Sequence, residues 1–182
     1  ELLSVELGPG LLRMVYDGLQ NPLDKLAEKS GFFLERGVYM PPLEEGSTWS
    51  FTPVAKVGDK ITAGEYLGHV PEGIFKHYIM TPFGLQGTWE VASVASAGEY
   101  KLRDTIAELK SETGETMNVT MVQTWPVKVP IRAYKDKLLP VDTLITQQRI
   151  IDTFFPVATG GTFCTPGPFG AGKTVLQHAL SQ

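Results

Sequence analysis

The chain has very little cysteine and no long apolar run, and each absence excludes a class of protein. Its single cysteine, Cys164, cannot form a disulfide within the chain, which fits a reducing compartment. We interpret Cys164 as a small buried residue of a strand. No stretch approaches the ~18 apolar residues of a membrane span. The N-terminus also lacks the pattern of a signal peptide. The sequence therefore predicts no direct insertion into a membrane.

An excess of positive charge is missing as well. The 182 residues contain 16 lysines and arginines against 20 aspartates and glutamates, which gives a net charge of −4. The basic residues are scattered, whereas a protein that binds nucleic acid usually presents a basic face. We therefore predict no nucleic-acid partner. The hydrophobic content of 42% is enough for a core, and the length fits one large domain or two small ones.

The most informative pattern lies close to the end of the sequence. Residues 167–174 read GPFGAGKT, which matches the phosphate-binding pattern G-x-x-x-x-G-K-[ST], or Walker A. Its glycines let successive backbone N–H groups point into one concavity, and a helix that follows adds positive charge from its N-terminus. Lys173 is the predicted catalytic residue, placed to contact the β- and γ-phosphates of ATP or ADP, and the Thr174 hydroxyl is the predicted ligand of Mg²⁺. The predicted nucleotide-binding residues are Gly167, Pro168, Phe169, Gly170, Ala171, Gly172, Lys173, Thr174 and Val175.

The residues around this pattern have the order that a phosphate-binding loop requires. Residues 161–165 suggest a short buried strand before the loop. After the loop, apolar residues recur at helical spacing and predict a helix, namely Val175, Leu176, Ala179 and Leu180. The alternative is a glycine-rich turn that happens to precede a helix.

The chain divides by composition into three predicted segments. Residues 1–40 contain a strand at 2–7, then an amphipathic, helix-like stretch, and a second short helix after Pro22. The apolar residues of the amphipathic stretch are Leu11, Leu12, Val15, Tyr16 and Leu19. Residues 41–120 are rich in glycine, proline, threonine, valine and aromatic residues, with frequent turn signals, and we expect a compact β-rich domain there.

The third predicted segment, residues 121–182, begins with a proline-punctuated extended stretch. A helix is predicted over 147–155, ahead of the phosphate-binding pattern. Within the β-rich segment, residues 103–110 could form a helix by themselves, but their neighbours favour a strand. The overall fold class is thus predicted as mixed, a β-rich, barrel-sandwich-like domain followed by α/β structure.

Other patterns in the β-rich segment have weaker functional interpretations. Residues 57–68 resemble the glycine-punctuated pattern of biotinyl and lipoyl carrier domains, but the nearest lysine, Lys76, is not in the carrier motif. We interpret His69 and His77 as loop histidines at the surface or partly buried, since a metal site would need ligands beyond these two and Glu72. Core anchors are the expected role of the three tryptophans, Trp49, Trp89 and Trp125.

Several segments, in order along the chain, resemble the catalytic A subunit of archaeal-type and vacuolar-type rotary ATPases. Before the loop, the run FPVATGGT at 155–162 and FCTP at 163–166 lead into GPFGAGKTV. Upstream, SVELGPGLL at 4–12 and YDGLQNPL at 16–23 are similar to the same family, as are WSFTP at 49–53 and TWPV at 124–127. The resemblance covers essentially the whole chain, and it includes the proline and phenylalanine inside the loop.

The resemblance implies both an architecture and an assembly. Residues 41–120 would be the bulge domain of the subunit, and residues 121–182 would begin its RecA-like nucleotide-binding domain. A β-barrel would precede Glu1, and the rest of the nucleotide-binding domain would follow Gln182. The implied partners are B subunits in an alternating A/B hexamer, together with central-stalk and peripheral-stalk subunits. The complex would couple ATP hydrolysis or synthesis to the transport of H⁺ or Na⁺, as a cytoplasmic sector peripheral to the cell membrane.

The resemblance also implies that part of the catalytic machinery lies outside these residues. The water-orienting glutamate and the Walker B acid would follow the loop helix, and the arginine finger would come from the B subunit. We expect this chain alone to have no significant ATPase activity and to bind nucleotide weakly, at about millimolar. Two alternatives remain: a bulge module that acts by subunit contact, and another RecA-like P-loop ATPase such as a helicase.

Overall fold

The computed structural model describes residues 2–34, 36–134 and 136–181. The chain divides into two compact units, Glu1–Tyr134 and Lys135–Gln182. The elements of the first unit are β1 Ser4–Leu7, α1 Leu23–Ser30, β2 Thr48–Pro53, β3 Lys60–Ile61, β4 Tyr66–Glu72, β5 Phe75–Met80, β6 Trp89–Val94, β7 Gly98–Lys101, β8 Ala107–Ser111, β9 Thr116–Val119 and β10 Gln123–Pro126. The elements of the second unit are β11 Thr143–Leu144, α2 Arg149–Phe154, β12 Val157–Ala158 and α3 Lys173–Leu180.

Two four-stranded antiparallel sheets form the centre of the first unit. Their strand orders are β5-β4-β2-β7 and β3-β6-β8-β9. The strands contribute buried side chains to two apolar clusters, because alternate side chains of a strand point to opposite faces and the apolar ones face inward. One cluster comprises Ala55, Ile61, Leu67, Leu85, Trp89, Val91, Ala107, Leu109 and Val119. The other comprises Leu43, Phe51, Val70, Ile79, Leu102, Ile106 and Met121.

This architecture confirms the predicted strand-rich, barrel-sandwich character of the middle of the chain. Residues 107–111 form β8, so a strand is present where the sequence favoured one over a helix. Of the three tryptophans, Trp89 is buried in the first cluster, which fits a core anchor. Trp49 and Trp125 are only partly buried. The indole of Trp125 instead donates a 2.7 Å hydrogen bond to the Val129 carbonyl at the surface.

The turn at Gly64 is closely packed against another part of the same unit. Gly64 has φ of +77°, and a Cβ at this position would lie 2.6 Å from both the Cβ and the carbonyl oxygen of Ala133. Only glycine satisfies both the left-handed backbone and the close approach. The turns at Gly58 and Gly114 also have positive φ, but a Cβ at either would meet nothing within 4 Å.

Gly68 allows β4 to pass over the ring of Phe51 in the core. A Cβ on Gly68 would overlap the Phe51 ring and lie 2.7 Å from the Thr52 carbonyl oxygen. Phe51 is completely buried, so its ring has little room to move. We expect Gly68→Ala to lower the free energy of unfolding of the first unit by about 1–3 kcal/mol, the usual range for overpacking a core. Denaturant titration followed by tryptophan fluorescence measures the change, since Trp49, Trp89 and Trp125 all lie in this unit.

A matched substitution separates this clash from the general effect of replacing glycine. A Cβ on Gly46 would meet nothing within 4 Å, and its backbone does not need positive φ. Gly46→Ala should therefore leave the midpoint of unfolding nearly unchanged. Equal midpoints for the two alanine variants would show that the Phe51 ring accommodates the extra carbon.

The predicted strand at 2–7 and the second predicted helix are confirmed as β1 and α1. β1 pairs with β10, and its Ser4 lies opposite Pro126. α1 begins directly after Pro22 and ends at Gly31, whose φ of +65° suits a glycine that terminates a helix. Leu26 is the buried residue of this helix.

The helix-like interpretation of residues 11–19 is wrong, because side-chain and backbone bonds around Asp17 fold this stretch into a loop. The Asp17 carboxylate accepts hydrogen bonds from the backbone N–H groups of Leu19 at 2.9 Å and Asn21 at 2.7 Å. The Leu23 N–H donates to the Val15 carbonyl, and Tyr16 forms a β-bridge with Pro22. An aspartate that binds nearby N–H groups offers the backbone an alternative to the helix.

The second unit confirms two predicted helices but not the predicted strand between them. Helices α2 and α3 occupy the expected regions. Residues 161–165 form no strand, and Cys164 is exposed rather than buried. Within the part of the chain that the structure describes, no neighbouring strand lies alongside these residues. An extended segment becomes a buried strand only when a partner satisfies its N–H and C=O groups.

Asp152 lies in the first turn of α2, bonds back to Thr146 ahead of the helix, and should titrate below the usual range of a carboxyl group. Its Oδ1 accepts hydrogen bonds from the Thr146 hydroxyl at 2.6 Å and the Thr146 N–H at 3.0 Å. These bonds, led by the one from the hydroxyl, lower the pKa of Asp152. Because the folded pKa of Asp152 is lowered, the stability contributed by these hydrogen bonds is present above the unfolded pKa and is lost as pH falls through the folded pKa.

NMR titration of the Asp152 carboxyl carbon tests this assignment. The midpoint should lie below the ordinary value of about 3.9. Thr146→Val removes the hydroxyl at nearly constant volume and should raise the midpoint toward that value. A midpoint that is the same in both proteins would contradict the role of the Thr146 hydroxyl.

A membrane-spanning helix is absent from the described part of the chain, where no helix is both long and apolar enough.

Candidate functional site

The phosphate-binding pattern folds as a loop that opens directly into a helix. Residues 167–172, which we call the 167–172 loop, precede α3, whose first residue is Lys173. Gly170 and Gly172 have φ of +77° and +79°, so glycine is needed at both for the chain to turn. The first α3 hydrogen bond runs from the Leu176 N–H to the Gly172 carbonyl at 3.0 Å. The N–H groups at the start of the helix are therefore directed toward the loop.

Lys173 folds back onto the loop that precedes it. Its Nζ donates hydrogen bonds to the carbonyl oxygens of Gly167 at 2.6 Å and Pro168 at 2.7 Å. The same ammonium lies 6.0 Å from the centre of the Phe169 ring. Lys173 thus joins the start of α3 to the first two residues of the pattern, and its charge is held at the loop.

Thr174 follows Lys173 in the first turn of α3 and is exposed. Among the described residues, its hydroxyl makes no hydrogen bond, so its oxygen has free lone pairs. Mg²⁺ in nucleotide sites takes few protein ligands and is completed by water and phosphate oxygens. One free hydroxyl beside a phosphate-binding loop fits that donor set. The described residues hold no group of three or more His, Cys, Asp or Glu side chains that could bind a metal independently.

The remaining predicted nucleotide-binding residues lie together at the surface of the same unit. Pro168, Phe169, Gly170, Ala171 and Gly172 are exposed, as is Val175 on α3. Gly167 is closely approached by its neighbours, because a Cβ there would lie 3.3 Å from the Ala171 Cβ. The structure therefore brings the residues of the pattern into one accessible loop and helix start.

His69 and His77 lie on strands rather than in a loop, which corrects the interpretation made from the sequence. His69 is opposite Tyr78 and His77 is opposite Val70 across the β4–β5 ladder. Neighbouring pairs in such a ladder point to opposite faces, so the two imidazoles are directed to opposite sides of the sheet. They cannot bind one metal ion together.

Glu72 is a buried carboxylate whose role the sequence did not reveal. Its Oε1 accepts hydrogen bonds from the N–H groups of Gly10 at 2.8 Å and Leu12 at 3.2 Å. Its Oε2 lies 2.6 Å from Nδ1 of His77. Burial, and secondarily the nearby Glu72 charge, raises the pKa of Tyr16. One signal for this buried position is present in the sequence. Glu72 lies two residues after Val70 on β4, so the alternation of side chains along a strand places it on the same, inward face as Val70. Glu72 therefore joins the β4–β5 hairpin to residues 10–12.

Comparison with known proteins shows what this chain is similar to. Residues 40–128 match the family model of the ATP synthase alpha/beta subunit barrel-sandwich domain. All 182 residues align with the V-type ATP synthase alpha chain of Borrelia turicatae at 57% identity, and they cover 32% of that protein. The alpha chain of Treponema denticola is also 57% identical over the whole chain, with 31% of its length covered. The corresponding value for alpha chain 1 of Treponema pallidum is 56%, again over 31% of its length.

These matches agree with the resemblance drawn from the order of the sequence segments. The barrel-sandwich family accounts for the two four-stranded sheets of the first unit, and the relatives extend the match through the 167–172 loop and α3. The chain therefore matches V-type ATP synthase alpha chains over all of its residues and spans about a third of their length.

Proposed function

We propose that this chain is part of the ATP-binding, catalytic subunit of a rotary ion-translocating ATPase or ATP synthase. In this proposal residues 167–175 hold the phosphates of ATP or ADP. The observation that carries it is the 167–172 loop, which places Lys173 and Thr174 at the start of a helix directly after two left-handed glycines. The names of the relatives, which are ATP synthase alpha chains, support the same assignment.

The loop has the groups that phosphoryl transfer to water requires for holding the phosphates. Backbone N–H groups at the start of α3 would donate to phosphate oxygens, and the helix dipole would favour their negative charge. Lys173 would leave the carbonyls of Gly167 and Pro168 and bind β- and γ-phosphate oxygens. Thr174 would bind Mg²⁺, which neutralises charge that develops on the phosphates.

The barrel-sandwich domain has a different role in the proposal. It forms its own cores, and the tip of its β4–β5 hairpin exposes the apolar side chains of Ile74 and Phe75. These two side chains favour a secondary function as a contact surface for neighbouring subunits. The complex as a whole would consist of an A/B hexamer with central-stalk and peripheral-stalk subunits, on the cytoplasmic side of the membrane.

The most direct test builds a hybrid protein that carries this segment in place of the matching segment of a relative. The matching residues of the Treponema denticola alpha chain are replaced by these 182 residues, and the resulting hybrid alpha chain is assembled with the partner subunits of that organism. Because 57% of the residues are identical, we expect the hybrid to assemble and to hydrolyse ATP within about tenfold of the natural complex. The 182 residues alone should release no phosphate above background, since the groups that orient the water would come from outside them.

Two results would count against the proposal. One is an assembled hybrid that neither binds nor hydrolyses ATP. The other is efficient turnover by the isolated 182 residues that persists without Lys173, because the phosphate-binding loop would then have no part in it.

A further inference from the structure

Phe169 has an unusual environment for a large apolar residue. It occupies the tip of the 167–172 loop, and its relative exposure is 105%, so it packs against no core. The one interaction that the described residues give its ring is with the ammonium of Lys173, 6.0 Å from the ring centre. This separation lies at the outer limit for attraction between a cation and an aromatic face.

The same ammonium is already engaged by the loop. Two of its three N–H donors are used by the carbonyls of Gly167 and Pro168. The position next to the Phe169 ring is therefore a defined location for the lysine. A phosphate that enters the loop must draw the ammonium away from both carbonyls and from the ring.

We propose that Phe169 is a positioning residue that holds Lys173 on the carbonyls of the loop while no nucleotide is bound. The inference rests on the proposed function, because it concerns the affinity of the same loop for phosphate. While Lys173 is bound to the carbonyls of Gly167 and Pro168, it is not available to phosphate. The apparent affinity for phosphate is therefore reduced in proportion to the fraction of time for which Lys173 is free of these carbonyls. The ring thus weakens nucleotide binding and couples it to a movement of Lys173.

The proposal predicts that removal of the aromatic face strengthens binding. At an exposed site a cation–ring contact changes an equilibrium by about two- to fivefold. Phe169→Leu keeps an apolar side chain without an aromatic face, and Phe169→Ala removes the bulk as well. Both variants should bind inorganic triphosphate about two- to fivefold more tightly than the unchanged chain.

A matched control is available in the same unit. Phe155 is also exposed, at 62%, and the described residues place no lysine over its ring. Phe155→Leu should leave the affinity for triphosphate unchanged. It controls for the general effect of replacing an exposed phenylalanine of the second unit with leucine.

The experiment uses the 182-residue chain and two NMR measurements. The first records the side-chain ammonium resonance of Lys173 in the absence of ligand, which shifts when a nearby ring is removed. The second is a titration with inorganic triphosphate. Support requires a shifted Lys173 resonance in Phe169→Leu, together with tighter binding in both Phe169 variants and neither change in Phe155→Leu.

The experiment distinguishes failure of the positioning role of Phe169 from failure of the proposed function. If all proteins bind triphosphate equally, or if Phe169→Leu leaves the Lys173 resonance in place, the positioning role of Phe169 is overturned while the proposed function stands. If none of the proteins binds triphosphate, the proposed phosphate site fails in this chain and the inference fails with it.

Discussion

Replacement of Lys173 by alanine in the hybrid alpha chain is expected to lower the rate of ATP hydrolysis by about 10²–10³-fold. A positively charged donor directed at the phosphates stabilises charge that develops in the transition state, and the loss of one such donor costs about this much in kcat. In the structure the lysine is already held at the loop by the carbonyls of Gly167 and Pro168. Steady-state phosphate release by the assembled complex measures the effect.

Lys137→Ala provides the matched control for this prediction. Lys137 is an exposed lysine of the same unit, outside the 167–172 loop. Its replacement removes the same charge and should leave the rate within about twofold, as expected for an exposed residue remote from the transferred phosphate. Circular dichroism of both variants checks that helix content is kept. Retention of most of the activity without Lys173 would contradict its assignment as a phosphate ligand.

Replacement of Glu72 by alanine is expected to lower the free energy of unfolding of the first unit by about 3–5 kcal/mol. The change removes a buried carboxylate and leaves the N–H groups of Gly10 and Leu12 without their acceptor. It also leaves His77 without the carboxylate that lies 2.6 Å from its Nδ1. Urea unfolding followed by tryptophan fluorescence reports this unit alone, because all three tryptophans belong to it.

Two further variants show which part of the Glu72 contact matters. Glu72→Gln keeps an oxygen acceptor for the Gly10 N–H but lacks the charge, so it should destabilise the unit less than alanine. Glu115→Ala removes an exposed glutamate beside a turn and should change the free energy of unfolding by no more than about 0.5 kcal/mol. If Glu72→Ala and Glu115→Ala unfold at the same urea concentration, the buried network contributes nothing to stability.

The sequence predicted features that depend on neighbouring residues. Helix α1 follows from Pro22 and the apolar residues after it, and α3 follows from apolar residues at helical spacing. The phosphate-binding pattern could be located because all its residues lie within eight positions. The family could be inferred because several segments kept their order along the whole chain.

Features that depend on distant residues were not predictable in the same way. Glu72 and Gly10 are 62 positions apart, and nothing in either segment indicates their hydrogen bond. The helix-like prediction for 11–19 was wrong because the Asp17 carboxylate accepts hydrogen bonds from nearby backbone N–H groups. The spacing of apolar residues does not reveal these bonds. The prediction of a strand at 161–165 was wrong because a buried strand needs a neighbouring strand, and the local sequence does not show whether one exists.

The packing of Gly64 against Ala133 has a practical consequence for anyone who labels this protein. A dye or an affinity peptide inserted at that turn would push the 127–134 stretch outward and disturb the whole barrel-sandwich domain. The turn at Gly114, between the paired strands β8 and β9, faces open space and offers an attachment point on the same domain. Distance measurements by fluorescence should start from probes placed there.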